Sequence, residues 1–510
     1  MRYVLSIDVG SQSLRGCIFD QMGNLVAKVQ EKYPPFKSIK TGWVEVHPEV
    51  FWQTFCKVCN KLKDEHPQFL QKVEAMSVDT FRDTAVLLDK DNNVVRDSLM
   101  WSDLRIADVS QPVPFWRRVA FALVGMTRTI HGLRKRIRTR WIKQNEPEIW
   151  AKTKKIVNIS TFINYKLTGN LIDADGAQIG KLPFDYKNRK WSKKSDILFP
   201  LYEITHDYLV DLVPSGQSLG VVSQQASKEC GLPFGLNVIA TGSDKSCETL
   251  GTGCLQDNVA SVSFGTSASI QFSTPTYFEP EPMLPSYPSV VNGYYNPEVQ
   301  IFRGFWMVSW FVENFASSFK EQAKKEGVSI EELLDKEMEK IPAGCDGLML
   351  QPFWQGGLTS PEARGAVIGF TDGHTRAHLY RAIIEGILFA LREGLERLER
   401  RGKKHIEFIT VSGGGSKSDI ICQMCADVLG RPVKRAHTFE NSALGTAIVT
   451  FTSIGVHPDV NTAVKEMVRY KDKFTPNLEN KKVYDDLFYK VYLKMYKKLK
   501  KFYIHLEDKF

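Results

Sequence analysis

Two segments of this chain repeat one local design, and the repeat constrains the fold more than any other feature of the sequence. Residues 3 to 8 and residues 258 to 264 are short runs of β-branched and apolar residues, and each predicts a strand. A turn with glycine and hydroxyl side chains follows each run, and a second strand follows each turn. Such turns expose backbone N–H groups that can hold phosphate oxygens. The repeat predicts two halves that each open with such a hairpin; an ordinary hairpin turn is the alternative at either position alone.

Length and composition agree with a globular protein of two or three domains. The chain has 510 residues, of which 43% are hydrophobic and 25% are charged. No apolar run reaches about 18 residues, so we expect no membrane-spanning helix, and the first residues lack the features of a signal peptide. Nine cysteines in a chain of this length fit a reducing compartment, and we therefore expect a cytoplasmic protein.

Local clusters of basic residues account for much of the formal net charge of +9. They lie at residues 134 to 140 and 497 to 501. Neither cluster is accompanied by a nucleic-acid-binding motif or by stacking aromatic residues, so no nucleic-acid partner is expected. A solvated helix face is the favoured interpretation of both clusters.

The cysteine spacing raises the question of a metal site. The pairs Cys56/Cys59 and Cys422/Cys425 have the Cys-x-x-Cys spacing of many zinc ligands. Both pairs, however, lie inside amphipathic helical patterns, where residues three apart share a face. We interpret them as core thiols and expect no stoichiometric zinc.

One aspartate stands where a short apolar run gives way to small residues. Residues 238 to 253 predict a strand, a tight turn that contains Asp244, and then the start of a helix. A carboxylate at the end of a strand can face a cleft and take the proton from an attacking hydroxyl, as phosphoryl transfer requires. The alternative is a helix N-cap, a position where aspartate is common.

Other candidate ligand-binding residues are found in the first half of the sequence. Asp8, beside the first glycine turn, could hold Mg²⁺ directly or through water. Arg82 and Asp83 are adjacent opposite charges in an otherwise apolar β segment, so they form either a buried structural pair or a pair that binds hydroxyl groups. Trp101 and Asp103 combine an aromatic ring with a carboxylate, as sugar-binding sites do.

A triple-glycine loop lies in the second half, in Ser412-Gly413-Gly414-Gly415-Ser416. A strand at residues 406 to 411 precedes it and a helix at residues 417 to 429 follows it. This order brings backbone close to a ligand and offers the N–H groups of a helix start. The loop lacks the Gly-x-Gly-x-x-Gly order of a dinucleotide site, so NAD is disfavoured.

Taken together, these motifs resemble the FGGY family of carbohydrate kinases, which share the actin/Hsp70-like (ribonuclease H-like) ATPase fold. The resemblance covers nearly the whole chain, and its motifs are specific in this order and spacing. They are Asp8-Val9-Gly10-Ser11-Gln12-Ser13-Leu14-Arg15, Gly42-Trp43-Val44-Glu45-Val46-His47-Pro48-Glu49, Trp101-Ser102-Asp103-Leu104-Arg105, Gly242-Ser243-Asp244, Phe264-Gly265-Thr266-Ser267, Arg381-Ala382-Ile383-Ile384-Glu385-Gly386 and Ser412-Gly413-Gly414-Gly415-Ser416.

The resemblance implies an α/β protein of two actin/Hsp70-like ATPase domains, residues 1–250 and 251–510, with a deep interdomain cleft that binds ATP and Mg²⁺. It implies that Asp244 is the catalytic base, that Asp8 is associated with Mg²⁺, and that Arg82 and Asp83 hold the acceptor. It further implies ATP or phosphate contacts for Gly10, Ser11, Gln12, Ser13, Arg15, Gly265, Thr266, Ser267, Gly413, Gly414, Gly415, Ser416 and Asn441.

Departures from the family pattern concern the acceptor. Lys245 stands where glycerol kinases have Gln and xylulose kinases usually have Asn, and Phe81 replaces a Gln of glycerol kinases. The segment Gly356-Gly357-Leu358-Thr359-Ser360-Pro361 lacks the Arg of the family's Gly-Glu-Arg pattern. We expect a ketopentose such as xylulose as acceptor. Glycerol or another polyol is an alternative, and so is a sugar acid, with which Lys245 could pair.

Two further expectations concern the class of protein and its assembly. A non-transferring ATPase on the same fold is the alternative from another class, and Asp244 together with Arg82 and Asp83 argues against it. The expected partner is a small sugar or polyol, and a second copy of the chain is a candidate partner in a homodimer.

Overall fold

A six-stranded sheet organises each half of the chain. The structure is a computed structural model that describes residues 1–110, 113–256, 258–357 and 360–509. Leu358 and Thr359, which belong to the segment without the family's Gly-Glu-Arg pattern, lie outside the described residues. The strands of the first sheet are β1 (Tyr3–Val9), β2 (Ser13–Asp20), β3 (Leu25–Lys32), β4 (Val73–Thr80), β5 (Ser218–Val221) and β6 (Asn237–Ile239).

The order of the first sheet is β5-β6-β4-β1-β2-β3. Strands β1, β2 and β3 form an antiparallel meander, whereas β4 runs parallel to β1 and β6 runs parallel to β4. In the register of β1 with β4, Asp8 lies opposite Asp79. Because the carboxyl ends of parallel strands meet at one edge of a sheet, this edge collects the polar residues that follow β1, β4 and β6.

The second sheet has the same arrangement. Its order is β9-β8-β7-β10-β11-β12, again with an antiparallel meander of three strands and two further strands parallel to its first strand. The predicted repeat of a strand, a glycine turn and a strand is therefore part of a larger structural repeat. The strands of the second sheet are β7 (Val259–Phe264), β8 (Ala268–Gln271), β9 (Glu298–Ile301), β10 (Phe408–Ser412), β11 (Val433–Ala436) and β12 (Tyr470–Phe474).

Helices cover both sheets and connect their strands. The helices of six or more residues are α1 (Glu49–Glu65), α2 (Phe115–Leu123), α3 (Thr127–Lys135), α4 (Arg138–Asn145), α5 (Pro147–Lys152), α6 (Ile159–Thr168), α7 (Gln224–Cys230), α8 (Asp244–Gly251), α9 (Trp306–Phe315), α10 (Lys320–Glu326), α11 (Ile330–Glu339), α12 (Arg376–Gly402), α13 (Asp419–Leu429), α14 (Asn441–Ser453), α15 (Val460–Met467), α16 (Leu478–Leu487) and α17 (Leu493–Lys509).

Two helices pack closely where the halves meet. Helix α14 lies between β11 and β12 of the second sheet in sequence, yet its apolar side chains pack with those of β1, β2 and α8 in one core. The crossing of α8 and α14 depends on glycine: a Cβ atom on Gly251 would lie 1.9 Å from the carbonyl oxygen of Asn441, and one on Gly445 would lie 1.9 Å from that of Cys247. No larger residue fits there without separating the helices.

The segment with the basic cluster differs from its prediction. Residues 115 to 168 have a helical pattern, but the structure divides them into five helices and a strand, Lys155–Asn158. The prediction that the cluster at residues 134 to 140 is a solvated face is wrong. Arg134 and Arg140 are buried, and Arg140 pairs with Glu203 at 2.8 Å. The ion pair with Glu203 makes the burial of the Arg140 guanidinium tolerable, and a charge pattern alone does not reveal such a pair.

Several local predictions are confirmed. Cys56 and Cys59 lie within α1, and Cys422 and Cys425 lie within α13; three of the four thiols are buried and Cys56 is half-buried. Helix α6 ends at Gly169, which adopts the predicted left-handed conformation at φ 79°. Within the described ranges, no helix is both long enough and apolar enough to cross a membrane.

Candidate active site

Asp244 is the first residue of α8, and a four-residue turn separates it from the carboxyl end of β6. The N-cap is Ser243, whose hydroxyl accepts a hydrogen bond from the N–H of Ser246, so the interpretation of Asp244 as the cap is wrong. The Asp244 carboxylate accepts a bond of 2.7 Å from the N–H of Lys245. Burial raises the pKa of Asp244 to about 6, although the positive charges of Arg82 and Lys245 oppose this rise. Such a pKa suits a general base near neutral pH.

Two more carboxylates lie beside Asp244 at the same edge of the sheet. Asp8, near the end of β1, is buried and pairs with Arg15 at 2.7 Å. Asp79, its neighbour on β4, accepts a bond of 2.6 Å from the hydroxyl of Thr446, and its Oδ1 has no hydrogen-bond partner in the described part of the chain. Burial raises the pKa of both carboxyls, and the charge of Asp8 adds to the rise for Asp79. The sheet edge therefore concentrates negative charge that a cation would relieve.

Arg82 does not pair with the adjacent Asp83. Both residues lie in the turn between β4 and a short strand, Ala85–Leu88, rather than inside one strand. Arg82 reaches the other half of the molecule and makes a bidentate pair with Glu298 of β9, at 2.7 and 3.1 Å. Its guanidinium also lies over the ring of Tyr287 at 5.2 Å. The predicted structural pair of Arg82 with Asp83 is therefore wrong, and the ion pair that Arg82 forms is with Glu298.

Asp83 lies in a pocket with two cations. Its backbone has φ 59°, a left-handed value that is uncommon for a residue with a side chain. Its carboxylate pairs with Arg138 at 3.0 Å and with Lys181. Arg138 also donates to the carbonyl oxygen of Trp101 at 2.7 Å, which ties the loop of Trp101 to Asp83. Burial, together with the charge of nearby Arg138, lowers the pKa of Lys181 to about 8, although the attraction of Asp83 opposes this change.

A hydrogen bond from a glutamine to a serine hydroxyl holds each of the two predicted phosphate turns. In the first half, Gln30 on β3 donates to the Ser13 hydroxyl at 2.9 Å. In the second half, Gln300 on β9 donates to the Ser267 hydroxyl at 2.5 Å. Each glutamine thereby fixes the turn from the third strand of its meander. The turns, Gly10 to Ser13 and Gly265 to Ser267, are half-buried or exposed at most positions. The N–H of Gly10 donates to the carbonyl oxygen of Ser13 at 3.1 Å, so a ligand would bind the other N–H groups of these turns.

The triple-glycine loop lies against the second of these turns. A Cβ atom on Gly413 would lie 2.7 Å from the carbonyl carbon of Phe264, and one on Gly415 would collide with the ring of Phe305. Gly414, in contrast, faces open space with nothing within 4 Å of its Cβ position. Asn441, at the start of α14, is buried, and its Oδ1 has no hydrogen-bond partner among the described residues. An open glycine surface and an orphaned buried acceptor fit the binding of an adenosine group.

Comparison with known proteins identifies the family. The model of the FGGY carbohydrate kinase N-terminal domain matches residues 3–251, and that of the C-terminal domain matches residues 260–454. The chain belongs to the FGGY family of carbohydrate kinases. The relatives of this FGGY kinase include the xylulose kinase of Lactococcus lactis, which is 28% identical over 98% of this chain and 97% of its own length. An uncharacterised sugar kinase of Escherichia coli, YgcE, is 28% identical over 95% of this chain and 91% of its own length.

Solved structures agree with this assignment. The crystal structure of xylulose kinase from Rhodospirillum rubrum matches this FGGY kinase with a TM-score of 0.82 and 25% identity, over 98% of this chain and all of that one. The predicted fold of two actin/Hsp70-like α/β domains is confirmed. The chain is a phosphotransferase with an alcohol group as acceptor, and it uses ATP with Mg²⁺.

The residues of the site fit both cofactors. In the described ranges, no group of three or more His, Cys, Asp or Glu side chains forms a metal cage. Mg²⁺ is usually held by one or two carboxylates together with waters and phosphate oxygens, so Asp8 with Asp79 is a donor set that fits this ion. When bound, the ion neutralises phosphate charge. The glycine turns, the Gly413 to Ser416 loop and Asn441 are the groups that would hold the nucleotide.

One predicted substrate residue does not face the site of this FGGY kinase. The side chain of Asp103 is completely buried. It accepts a bond of 2.7 Å from the N–H of Val44 and pairs with Arg105, which in turn pairs with Glu45. Asp103 therefore holds its own loop in place and has no surface to offer to a sugar. The pattern of an aromatic residue and a carboxylate wrongly predicted a sugar-binding role for Asp103. The cation that pairs with this carboxylate is Arg105, only two residues further along the chain.

Four residues beside the predicted ones are not marked by the sequence motifs. They are Asp79, Glu298, Arg138 and Lys181, and each contacts or neighbours a predicted residue. A signal existed for Asp79, since it occupies the same position at the end of its strand as Asp8. Glu298 and Lys181 lie on distant segments, and no local pattern marks them.

Proposed function

We propose that this FGGY kinase transfers the γ-phosphoryl group of ATP to a primary hydroxyl of a ketopentose such as xylulose. The observation that carries this proposal is the position of Asp244 at the start of α8, near the charges of Arg82 and Lys245, where burial raises its pKa to about 6. The names of the relatives support the sugar class, because the Lactococcus lactis and Rhodospirillum rubrum proteins are xylulose kinases.

In the proposed reaction, Asp244 accepts the proton of the acceptor hydroxyl as its oxygen attacks phosphorus. The bond from phosphorus to the bridging oxygen of ADP breaks, and that oxygen keeps the electron pair. The N–H groups of the turns at Gly10 and Gly265 hold oxygens on which negative charge develops. Asp8, with Arg15 as its counter-charge, lies on the magnesium side of the site.

The acceptor pocket supports a polyhydroxylated acceptor by its mixture of donors and acceptors. Arg82 with Glu298, and Asp83 with Arg138 and Lys181, present both kinds of group to hydroxyls. A sugar acid is the second candidate, because two cations share the single Asp83 carboxylate and Lys181 has a lowered pKa. An added carboxylate would satisfy this excess of positive charge.

The proposal is tested by measuring ADP release with ATP and Mg²⁺ against a panel of ketoses, aldoses, polyols and sugar acids. We expect the strongest response with a ketopentose. A strong response to a sugar acid alone would favour the second candidate. Slow ATP hydrolysis that does not depend on any acceptor would support the non-transferring ATPase and contradict the proposal.

We also propose a division of the chain near residues 250 and 251. The bounds of the two family models, which end at residue 251 and begin at residue 260, support it. A cytoplasmic location and a homodimer remain predictions. Size-exclusion chromatography with light scattering tests the homodimer directly.

A further inference from the structure

Lys245 lies where the acceptor pocket and the nucleotide side of the site meet. It is the second residue of α8, directly after Asp244. Its Nζ donates to the hydroxyl of Ser263 at 2.5 Å and to Glu248 at 2.8 Å. Ser263 lies on β7, two residues before the glycine of the second phosphate turn. A Cβ atom on Gly265 would lie 3.7 Å from the Lys245 Nζ, so the ammonium group lies against that turn.

The contacts of Lys245 leave capacity for a further ligand. An ammonium group has three N–H donors, and within the described part of the chain Nζ uses two of them. The two groups that accept hydrogen bonds from Nζ also bond to each other, because the Ser263 hydroxyl donates to Glu248 at 3.1 Å. This network fixes the ammonium group before any ligand arrives, and a fixed charge needs no reorganisation during the reaction.

Lys245 also keeps its charge. Burial lowers its pKa, but the carboxylates of Glu248 and Asp244 outweigh this effect, and the net pKa is raised. The side chain is therefore a permanent cation at neutral pH. Its contacts lie on the side of Gly265, whereas the cations that contact Asp83 are Arg138 and Lys181. The expectation that Lys245 pairs with an acidic acceptor thus has no support from its contacts.

We propose that Lys245 binds the oxygens of the phosphoryl group during transfer and stabilises the charge that they carry in the transition state. This inference rests on the proposed function. One helix start would then supply both charges that the reaction needs: Asp244 takes the proton from the acceptor hydroxyl, and the next residue holds the group that the hydroxyl oxygen attacks. The bonds that form and break are those of the transfer itself.

A purely structural role is the competing explanation, because Lys245 and Glu248 form a largely buried ion pair. Replacing Lys245 alone would leave Glu248 buried without its cation, which is destabilising whatever the catalytic role. The test therefore uses Lys245→Met, the conservative variant Lys245→Arg, and the double variant Lys245→Met with Glu248→Gln, which removes both charges. Thermal unfolding of each variant measures the structural effect separately.

The decisive measurement is binding by calorimetry without turnover. Mg²⁺ and ADP form one ligand; Mg²⁺, ADP and aluminium fluoride form a second, which mimics the transferring group. For the double variant we expect the affinity for the aluminium fluoride complex to fall about 100-fold, in line with the loss of one transition-state donor, while the affinity for ADP changes less than about threefold. Lys245→Arg should retain part of the preference for the aluminium fluoride complex.

Kinetics supply the second arm. We expect the kcat of the double variant to fall by about 100-fold with the acceptor KM nearly unchanged. A raised acceptor KM at normal kcat would show that Lys245 binds the acceptor and would overturn the inference. Equal losses of affinity for the two nucleotide ligands would overturn it as well. A failure of the proposed function can be told apart from a failure of this inference. Calorimetry compares the variants with the wild-type protein even if the wild-type protein phosphorylates no sugar of the panel.

Discussion

The pH dependence of catalysis follows from the surroundings of Asp244. An aspartate with its ordinary pKa of 3.8 would be almost fully ionised at pH 5, whereas burial raises the pKa of Asp244 to about 6. A general base must be ionised to accept a proton, so activity is lost as the pH falls through that pKa. Roughly nine-tenths of the molecules carry the ionised base at pH 7 and roughly one-tenth at pH 5.

We therefore expect kcat/KM for the acceptor to fall about tenfold between pH 7 and pH 5, with an apparent pKa of about 6. The assay is ADP release at saturating ATP with Mg²⁺ in excess, in buffers of constant ionic strength. Asp244→Asn should lower kcat by roughly 100-fold or more, should remove this acid limb from the remaining activity, and should leave the affinity for ADP nearly unchanged.

The control is Asp91→Asn, which changes an exposed aspartate in a distant hairpin and should keep the wild-type profile. An acid limb near pH 4 in the wild-type enzyme would show that Asp244 is not held in the buried state described above. Near-normal turnover of Asp244→Asn would remove this residue from the role of base altogether. Either result would contradict the prediction, because it depends both on the burial of Asp244 and on proton transfer to its carboxylate.

Two more predictions concern the contacts between the halves. Gly445→Ala should lower the Tm by about 5 °C or more, because its Cβ would press against the backbone of α8, while Gly132→Ala, at a position with free space, should keep the wild-type Tm. Arg82→Ala should raise the acceptor KM and also lower the Tm, because Glu298 loses its cation. Adding Glu298→Gln should restore the Tm without restoring the KM; recovery of both would assign Arg82 a structural role only.

The elements of the fold that the sequence predicted share a local cause. Strands β1 and β7 alternate or carry β-branched residues, their turns contain glycine, and helix α12 has apolar residues at helical spacing, all within a few residues of one another. Asp8, Asp244 and Gly265 are predicted for the same reason, because each lies at the end of a short apolar strand or within five residues beyond it. A local sequence pattern is enough to predict a functional residue when that residue lies at the end of the strand that positions it.

The partners of these residues depend on contacts that no local pattern contains. Arg82 pairs with Glu298 across 216 positions of the chain, and Asp83 pairs with Lys181 across 98. Asp103 fails as a substrate residue for the opposite reason, since a nearby arginine satisfies it before any sugar could. Charge in a sequence shows that a partner is needed, but only the packing decides whether that partner is protein or ligand.

The contacts between the halves surround the catalytic residues rather than lying apart from them. Arg15, which pairs with Asp8, also approaches Glu440 of the second half at 3.7 Å. Thr446 of α14 donates to Asp79, and Glu298 of β9 holds Arg82. Each such contact joins a residue of the proposed magnesium or acceptor site in the first half to a residue of the second half. In the proposed function, the same ion pairs and hydrogen bonds would both fix the charges of the site and set the distance between acceptor and nucleotide. We therefore expect a substitution at one of these contacts in one half to change ligand binding in the other half.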